Sequence, residues 1–98
     1  MHFINRDMLL EAIFAQTNET FDSHAIERHL YRCHQDALVR ELYANNGVGT
    51  YPFTETCRQI GLELVRMTDV VVKIDEASSP TFSGETTKCA LWRRLRRG

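Results

Sequence analysis

The residues best suited to chemistry in this sequence are its four histidines and three cysteines. His29 and Cys33 lie four positions apart, which places both side chains on one face of a helix at a spacing that suits a metal ion. Cys57 and Cys89 would complete an acceptable zinc set of three sulfurs and one nitrogen. Structural zinc sites, however, usually take their ligands as close pairs from short loops, and these cysteines are widely separated. We therefore expect reduced, mostly buried cysteines, no stoichiometric zinc and no cofactor.

The histidines do not form an obvious catalytic group. His24, His29 and His34 recur every five residues, so successive side chains would point about 140° apart on a continuous helix. They cannot converge on one site from a single helix. The sequence also contains no nucleophile elbow, glycine-rich phosphate loop or paired-carboxylate signature. We therefore expect no catalytic residues, no enzymatic activity and no small-molecule substrate.

Length and composition are those of one globular domain. The chain has 98 residues, of which 43% are hydrophobic and 26% are charged, so a single core is expected over residues 1–98. No apolar run approaches the roughly 20 residues that span a bilayer, and Arg6 and Asp7 interrupt the N-terminal apolar stretch that a signal peptide would need. These features favour a cytoplasmic protein with no membrane partner.

Positive charge is concentrated at the C-terminus. The sequence has twelve Lys and Arg against thirteen Asp and Glu, and four of the arginines lie within residues 93–98. Without those four, eight basic residues face thirteen acidic ones, a net charge of −5. A nucleic-acid-binding domain usually has a basic face. The charge distribution therefore counts against DNA binding by the body of the domain and assigns any phosphate contact to a basic tail.

The elements that would position these residues centre on Phe21–Asn46. Ile26 and Leu30 form one apolar stripe at helical spacing, whereas Leu38 and Leu42 point to another side of the same wheel. A single straight helix would need a core on two sides. The shift in phase predicts two helices separated near Arg32–Gln35. At the start of the first helix Asp22 is the expected N-cap and Phe21 packs on Ile26; Asp36 is the expected N-cap of the second helix.

The remaining pattern predicts further helices and then a hairpin. Phe3–Gln16 is the first predicted helix, with Asn5 as its N-cap, and a polar connection follows it. Thr54–Met67 is the predicted helix after Asn46, with Thr54 as its cap and Gly61 explained by close helix packing. From Asp69 the apolar period becomes two, which indicates a strand containing Val70, Val72 and Ile74. Glu76–Glu85 reads as a long loop and Thr86–Leu95 as the returning strand.

This order of elements resembles a winged helix-turn-helix domain, of the kind found in small bacterial or phage-encoded proteins. The resemblance implies a mostly α fold, three to four helices followed by a two-stranded C-terminal hairpin. It also implies that Thr54–Met67 is the helix that enters the major groove and that Asp75–Thr86 is the wing. The wing carries acidic residues and no Lys or Arg, which departs from the expected pattern. The implied DNA-contacting residues, including those of the tail, are Thr56, Arg58, Gln59, Arg66, Arg93, Arg94, Arg96 and Arg97.

Two functions of different class follow. The first is a DNA-binding or regulatory module without catalytic activity, which uses Thr54–Met67 and the arginine tail. The second is a protein-interaction domain on the same frame, in which an apolar surface around Phe82 or Trp92 meets a partner protein or a second copy. The acidic body favours the second function, whereas the order of elements and the tail favour the first.

Overall fold

The computed structural model of the chain describes residues 1–47, 51–81 and 84–95. In this part of the chain seven elements follow one another: α1 (Arg6–Ala15), β1 (Thr20–Asp22), α2 (Ser23–Cys33), α3 (Gln35–Ala44), α4 (Pro52–Arg66), β2 (Val71–Pro80) and β3 (Thr86–Arg94). The strands form an antiparallel sheet in the order β1-β3-β2. The last strand of the chain is therefore the central strand of the sheet.

The predicted fold class is wrong in its β part, because the sheet has three strands and is not a lone C-terminal hairpin. The additional strand, β1, begins at the end of the connection that the sequence predicts to be polar. Phe21 of β1 pairs with Trp92 of β3, and both side chains are buried. A strand of three residues is too short to show a period-two pattern. It forms here because β3 offers it a partner from the far end of the chain.

The hairpin is also longer, and its loop shorter, than the sequence predicts. β2 continues to Pro80 and β3 begins at Thr86, so only residues 81–85 connect them. The Thr81 N–H donates to the Glu85 carbonyl at 2.7 Å, and Gly84 takes the positive φ of 95° that the connection needs. The two serines and the proline of β2 are typical of a loop. β2 is, however, an edge strand of the described sheet, and an edge strand tolerates proline where the missing N–H would face solvent.

The alternation predicted for β2 is interrupted by a bulge. The pairing with β3 changes register between Lys73 and Asp75, so Ile74 is an extra residue in the ladder. Val70 and Val71 are buried, whereas Val72 and Ile74 are exposed. The apolar face predicted from alternate residues is therefore buried only at its first position.

The predicted division of Phe21–Asn46 into two helices is confirmed. α2 ends at Cys33 and α3 begins at Gln35, with His34 between them in a non-helical conformation (φ −137°, ψ 46°). Each helix can then turn its own apolar side to the core, where Leu30 and Leu38 are both buried. The predicted cap is wrong, because His34 occupies the N-cap position and Asp36 lies in the first turn.

The other helix starts follow the predicted chemistry in two of three cases. The Asn5 side chain accepts from the Met8 N–H at 2.9 Å, and the Asp22 side chain accepts from the Ala25 N–H at 2.8 Å. Both are N-caps, as predicted. α4 begins earlier than expected, with Pro52 in its first turn and Tyr51 as the N-cap. Proline is well suited to the first helical position, since it has no N–H to leave unpaired.

A buried carboxylate ties the N-terminal segment to α3. Glu41 is buried, and its Oε1 accepts hydrogen bonds from the backbone N–H groups of His2, Phe3 and Ile4 at 2.7, 2.5 and 2.9 Å. Ile4 is itself part of the core. A charged residue at a buried position of α3 is therefore matched by three backbone donors, which provide the hydrogen bonds that water would otherwise supply.

Candidate functional site

A cavity of about 430 Å³ lies between α2, α4 and the β2–β3 hairpin. This volume is within the range of small-ligand pockets. Gly61 lies in the wall of the cavity, and a Cβ added there would meet no atom within 4 Å. The close helix packing predicted for Gly61 is therefore wrong. The polar and sulfur-containing side chains that line the cavity are Ser23, His24, Glu27, Thr54, Cys57, Thr81, Glu85, Thr87, Lys88 and Cys89.

Glu27 is the least well satisfied polar group in this wall. Its side chain is 1% exposed, and the Cys57 thiol donates to its Oε1 at 2.8 Å. Its Oε2 has no hydrogen-bond partner among residues 1–47, 51–81 and 84–95. Burial raises the pKa of this carboxyl, and the bond from Cys57 opposes that rise. The cavity wall therefore favours the neutral carboxylic acid at position 27.

The two cysteines of the cavity are held as thiols. Burial raises the pKa of Cys57, and the neighbouring Glu27 raises it further. Burial also raises the pKa of Cys89. Because the thiolate is the nucleophilic form, neither side chain is activated for attack near neutral pH.

The imidazole of His24 is held in place at the same cavity. Its Nδ1 lies 3.0 Å from both the carbonyl oxygen and the hydroxyl of Ser79, and its Nε2 lies 3.3 Å from the Thr87 hydroxyl. These contacts connect α2 to both strands of the hairpin. His24 therefore has a structural role, in which its imidazole holds the hairpin against α2 by hydrogen bonds.

Two of the three regularly spaced histidines meet, because His34 lies beyond the end of α2 and is not on the same helix as His29. His29 on α2 and His34 after it both direct Nε2 at Oε2 of Glu11 on α1; the His29 distance is 2.9 Å. The helix ends at Cys33, so the non-helical backbone of His34 brings its ring back towards His29. The two ring centroids are 6.3 Å apart. Hydrogen bonds to the two imidazoles lower the pKa of Glu11.

The zinc set considered from the sequence does not assemble. Cys33 is exposed, contrary to the expectation of mostly buried cysteines, and Cys57 and Cys89 are partly buried in the lining of the cavity. His29 instead contacts Glu11. Within the described residues the three ligand atoms of Glu11, His29 and His34 all lie within 4.8 Å of one another. The helix break at His34, combined with the five-residue spacing, could have indicated that His29 and His34 meet, but not that Glu11 joins them.

The residues predicted to contact DNA from α4 are largely engaged within the protein. Thr56 is 1% exposed, and its hydroxyl accepts from the Asn45 amide at 2.9 Å. Gln59 exchanges two hydrogen bonds with the same Asn45 side chain. Arg58 and Arg66 are exposed, but they pair with Glu55 and Glu63 on the same helix. The outward face of α4 is therefore close to electrically neutral.

The predicted tail residues divide into three groups. Arg93 is exposed and belongs to β3, where it pairs with Thr20 and Val72 across the sheet. The Arg94 guanidinium donates to the carbonyls of Ile13 and Gln16 at 3.0 and 3.1 Å and lies over the Phe14 ring. Arg96 and Arg97 lie outside the described residues. The tail assigned to residues 93–98 thus begins as an ordered strand.

The apolar surface predicted around Trp92 is not at Trp92. This side chain is buried, and its Nε1 donates to the Ser23 hydroxyl at 2.8 Å. Phe82 lies outside the described residues. Exposed apolar side chains occur on several helices, and those on α4 include Leu62, which is 46% exposed, and Val65, which is 55% exposed.

A groove of about 400 Å³ adjoins the exposed apolar residues of α4. Val65 forms part of its wall, and the groove extends from the end of α4 to β2 and β3. We call the groove together with Leu62 the α4–β2 face. The groove is lined by Val65, Thr68, Val71, Val72, Lys73, Trp92, Arg93 and Leu95.

Comparison with protein-family models, with curated proteins and with solved structures gave no match. Among the described residues, every helix is too short or too polar to cross a lipid bilayer. The cavity, the histidine group and the α4–β2 face are therefore the features of the molecule that indicate a function.

Proposed function

We propose that the chain is a non-catalytic protein-binding module that receives a short amphipathic segment of another protein on the α4–β2 face. The observation that carries the proposal is the composition of the exposed side of α4. Leu62 and Val65 are exposed there, and the arginines of the same helix form ion pairs with its own glutamates. Exposed apolar side chains next to a groove are typical of a protein-binding surface. A helix that reads DNA would instead present uncompensated basic and polar groups.

The groove favours a narrow partner. Its volume of about 400 Å³ accommodates a few apolar side chains, and its floor includes Val71 and Trp92 of the core. Burying one large aliphatic side chain contributes about 1.5–3 kcal/mol, before the entropic cost of association. Two such anchors contribute about 3–6 kcal/mol, which corresponds to weak binding, with dissociation constants from millimolar down to tens of micromolar.

The rim of the groove indicates the charge of the partner. Lys73 and Arg93 both line it, and both side chains are exposed. Lys73 lies 3.9 Å from Glu76, which leaves it only loosely paired in a solvated position. We therefore expect the bound segment to carry carboxylates beside its apolar residues, since opposite charges at a rim increase the association rate and fix the register.

DNA binding is the second candidate function, supported by the exposed Arg93 and by the arginines that follow it in the sequence. The geometry supports it less well. Thr56 and Arg94 are committed to contacts inside the protein, and Arg58 is paired with a carboxylate. Any DNA affinity should therefore be weak, independent of sequence and steeply reduced by salt.

A displayed library of random peptides, panned on the intact chain, tests the main proposal. We expect enriched peptides that combine two apolar residues with Asp or Glu, and dissociation constants of about 0.04–1 mM by fluorescence anisotropy. Val65→Asp should weaken their binding at least about tenfold, because it puts a carboxylate in the groove wall. Val39→Asp is the matched control, since Val39 is an exposed valine on α3.

Four results would contradict the proposal. The first is no enriched peptide, and the second is equal loss of binding in both variants. The third is retention of a labelled DNA duplex at low salt by a chain that selects no peptide. If that retention disappears when Arg93, Arg96 and Arg97 are replaced by Ser, the DNA-binding function replaces the protein-binding one. The fourth is concentration-dependent dimerisation that Val65→Asp abolishes. It would show that a second copy of the chain occupies the face, and not a segment of another protein.

A further inference from the structure

The group formed by Glu11, His29 and His34 brings together three elements that are separate in the sequence. Glu11 belongs to α1, His29 to α2, and His34 is the single residue between α2 and α3. The imidazole side chains are 16% and 25% exposed, and the carboxylate is 53% exposed. The group therefore has a sheltered inner side made of two nitrogens and an outer side open to water.

The three ligand atoms are close enough together to share one metal ion. Both imidazoles direct Nε2 at the same oxygen, Glu11 Oε2, and the His29 contact is 2.9 Å. The three atoms lie within 4.8 Å of one another. Zinc bonds to nitrogen and oxygen of about 2.0–2.2 Å, in a tetrahedral arrangement, separate neighbouring ligand atoms by about 3.3 Å. The present contacts to Glu11 are shorter than that, so the three side chains would move apart to admit an ion.

The donor types select the class of ion. Imidazole nitrogen suits zinc, copper, iron and nickel, whereas calcium and magnesium prefer sites built from oxygen. Two nitrogens and one carboxylate form a three-ligand set that leaves a fourth tetrahedral position for water. Such a position is available here on the side of the exposed carboxylate.

We propose that Glu11, His29 and His34 bind one Zn²⁺ ion per chain, with water as the fourth ligand. The ion would join α1, α2 and the start of α3 at the point where the helix breaks. It would therefore stabilise the relative placement of these helices, and this inference is independent of the protein-binding proposal. It replaces the metal-free expectation drawn from the sequence.

Titration of the chelator-treated full chain with ZnCl₂ by calorimetry at pH 7.5 tests the site. We expect one ion per chain, and titration with Co²⁺ should give the visible absorption bands of tetrahedral cobalt. Loss of an outer-shell partner weakens metal sites about 10–100-fold, so His34→Ala and Glu11→Gln should each cost at least about tenfold in affinity. Saturating Zn²⁺ should raise the melting temperature of the original chain by about 4 °C or more.

Two control variants separate this site from other metal-binding groups. His2→Ala removes an exposed histidine outside the group, and Cys33→Ser removes the exposed thiol four residues after His29. Both should retain full affinity. If His34→Ala fails to fold, Glu11→Gln still tests the site. Glu11 is half exposed, so Glu11→Gln should fold, and circular dichroism checks that it does. Absence of Zn²⁺ binding by the original chain would overturn the proposal and leave a hydrogen-bonded group only. Undiminished affinity in Glu11→Gln, or loss of affinity in Cys33→Ser, would also overturn it.

Discussion

Two buried glutamates, Glu41 on α3 and Glu27 on α2, have very different hydrogen-bond partners. Glu41 on α3 receives three backbone N–H groups on one oxygen. Glu27 on α2 receives one thiol donor, and its second oxygen has no partner among the described residues. The first carboxylate is a structural tie, whereas the second is a polar group kept in a cavity wall at some cost in stability. Equal burial therefore does not imply an equal role.

The same difference separates the two regions around them. The Glu41 region closes the N-terminal segment against α3, and Ile4 becomes part of the core there. The Glu27 region leaves about 430 Å³ of space between α2, α4 and the hairpin. The first region is part of the packed core and contributes to stability. The second region contains a cavity large enough for a small ligand, which a core packed for stability alone would not leave open.

The largest effect is expected where the satisfied carboxylate is removed. Glu41→Ala leaves three backbone donors without their acceptor, so the free energy of unfolding should fall by about 3 kcal/mol. Urea denaturation followed by circular dichroism measures this change. Glu41→Gln keeps an acceptor oxygen and should cost roughly half as much. A loss below about 1 kcal/mol in Glu41→Ala would remove the contrast between the two glutamates.

Removing the ionisable group from the other region should change the pH dependence of stability. The pKa of Glu27 is raised from its ordinary 4.5 by burial, so the folded protein holds this proton more tightly than the unfolded chain. The resulting stabilisation is complete below the unfolded pKa and is lost as pH rises through the folded value, at about 1.4 kcal/mol per unit of pKa difference. Glu27→Gln should abolish this loss.

Urea denaturation of Glu27→Gln and the original chain between pH 4 and 8 measures that prediction. Groups that titrate equally in both proteins contribute equally to both unfolding free energies, so their contributions cancel when one free energy is subtracted from the other. As pH rises, the unfolding free energy of Glu27→Gln should increase relative to that of the original chain. A difference that stays constant across the range would show that Glu27 ionises as readily in the folded protein as in the unfolded chain.

The smallest effect is a gain, expected from the open space at Gly61. A Cβ at this helical position meets no atom within 4 Å, so Gly61→Ala should raise the free energy of unfolding by about 0.5–1 kcal/mol through helix propensity. The corresponding rise in melting temperature is about 2–6 °C. Scanning calorimetry measures it. A fall in melting temperature would show that the cavity wall has no space for a methyl group.

Local chemistry is where the sequence predicts this structure well. The side chains of Asn5 and Asp22 cap helices because their bonds are made within three residues, and the break at His34 follows from the apolar phase of neighbouring turns. Long-range partners are where it fails. β1 depends on β3 at the other end of the chain, and the bulge at Ile74 depends on the pairing register.

The candidate sites were harder to predict for the same reason. Thr56 reads as a helix-surface residue, but its partner Asn45 comes from the preceding connection, and the pairing buries both. Glu11 carries no sign of histidine partners in its own segment. The Glu11–His29–His34 group becomes visible only when the helix break is combined with the packing of α1 on α2.

The central position of β3 has a consequence for how the protein forms. β1 and β2 are both edge strands that pair with β3, so neither joins the sheet until the last strand has been made. The hydrogen bond from Trp92 to Ser23 joins residues 69 positions apart in sequence. Closing so long a loop is an entropic cost that must be met before its contacts contribute, which slows folding. During synthesis on the ribosome, the helices can therefore form early, whereas the sheet must wait until β3 has emerged.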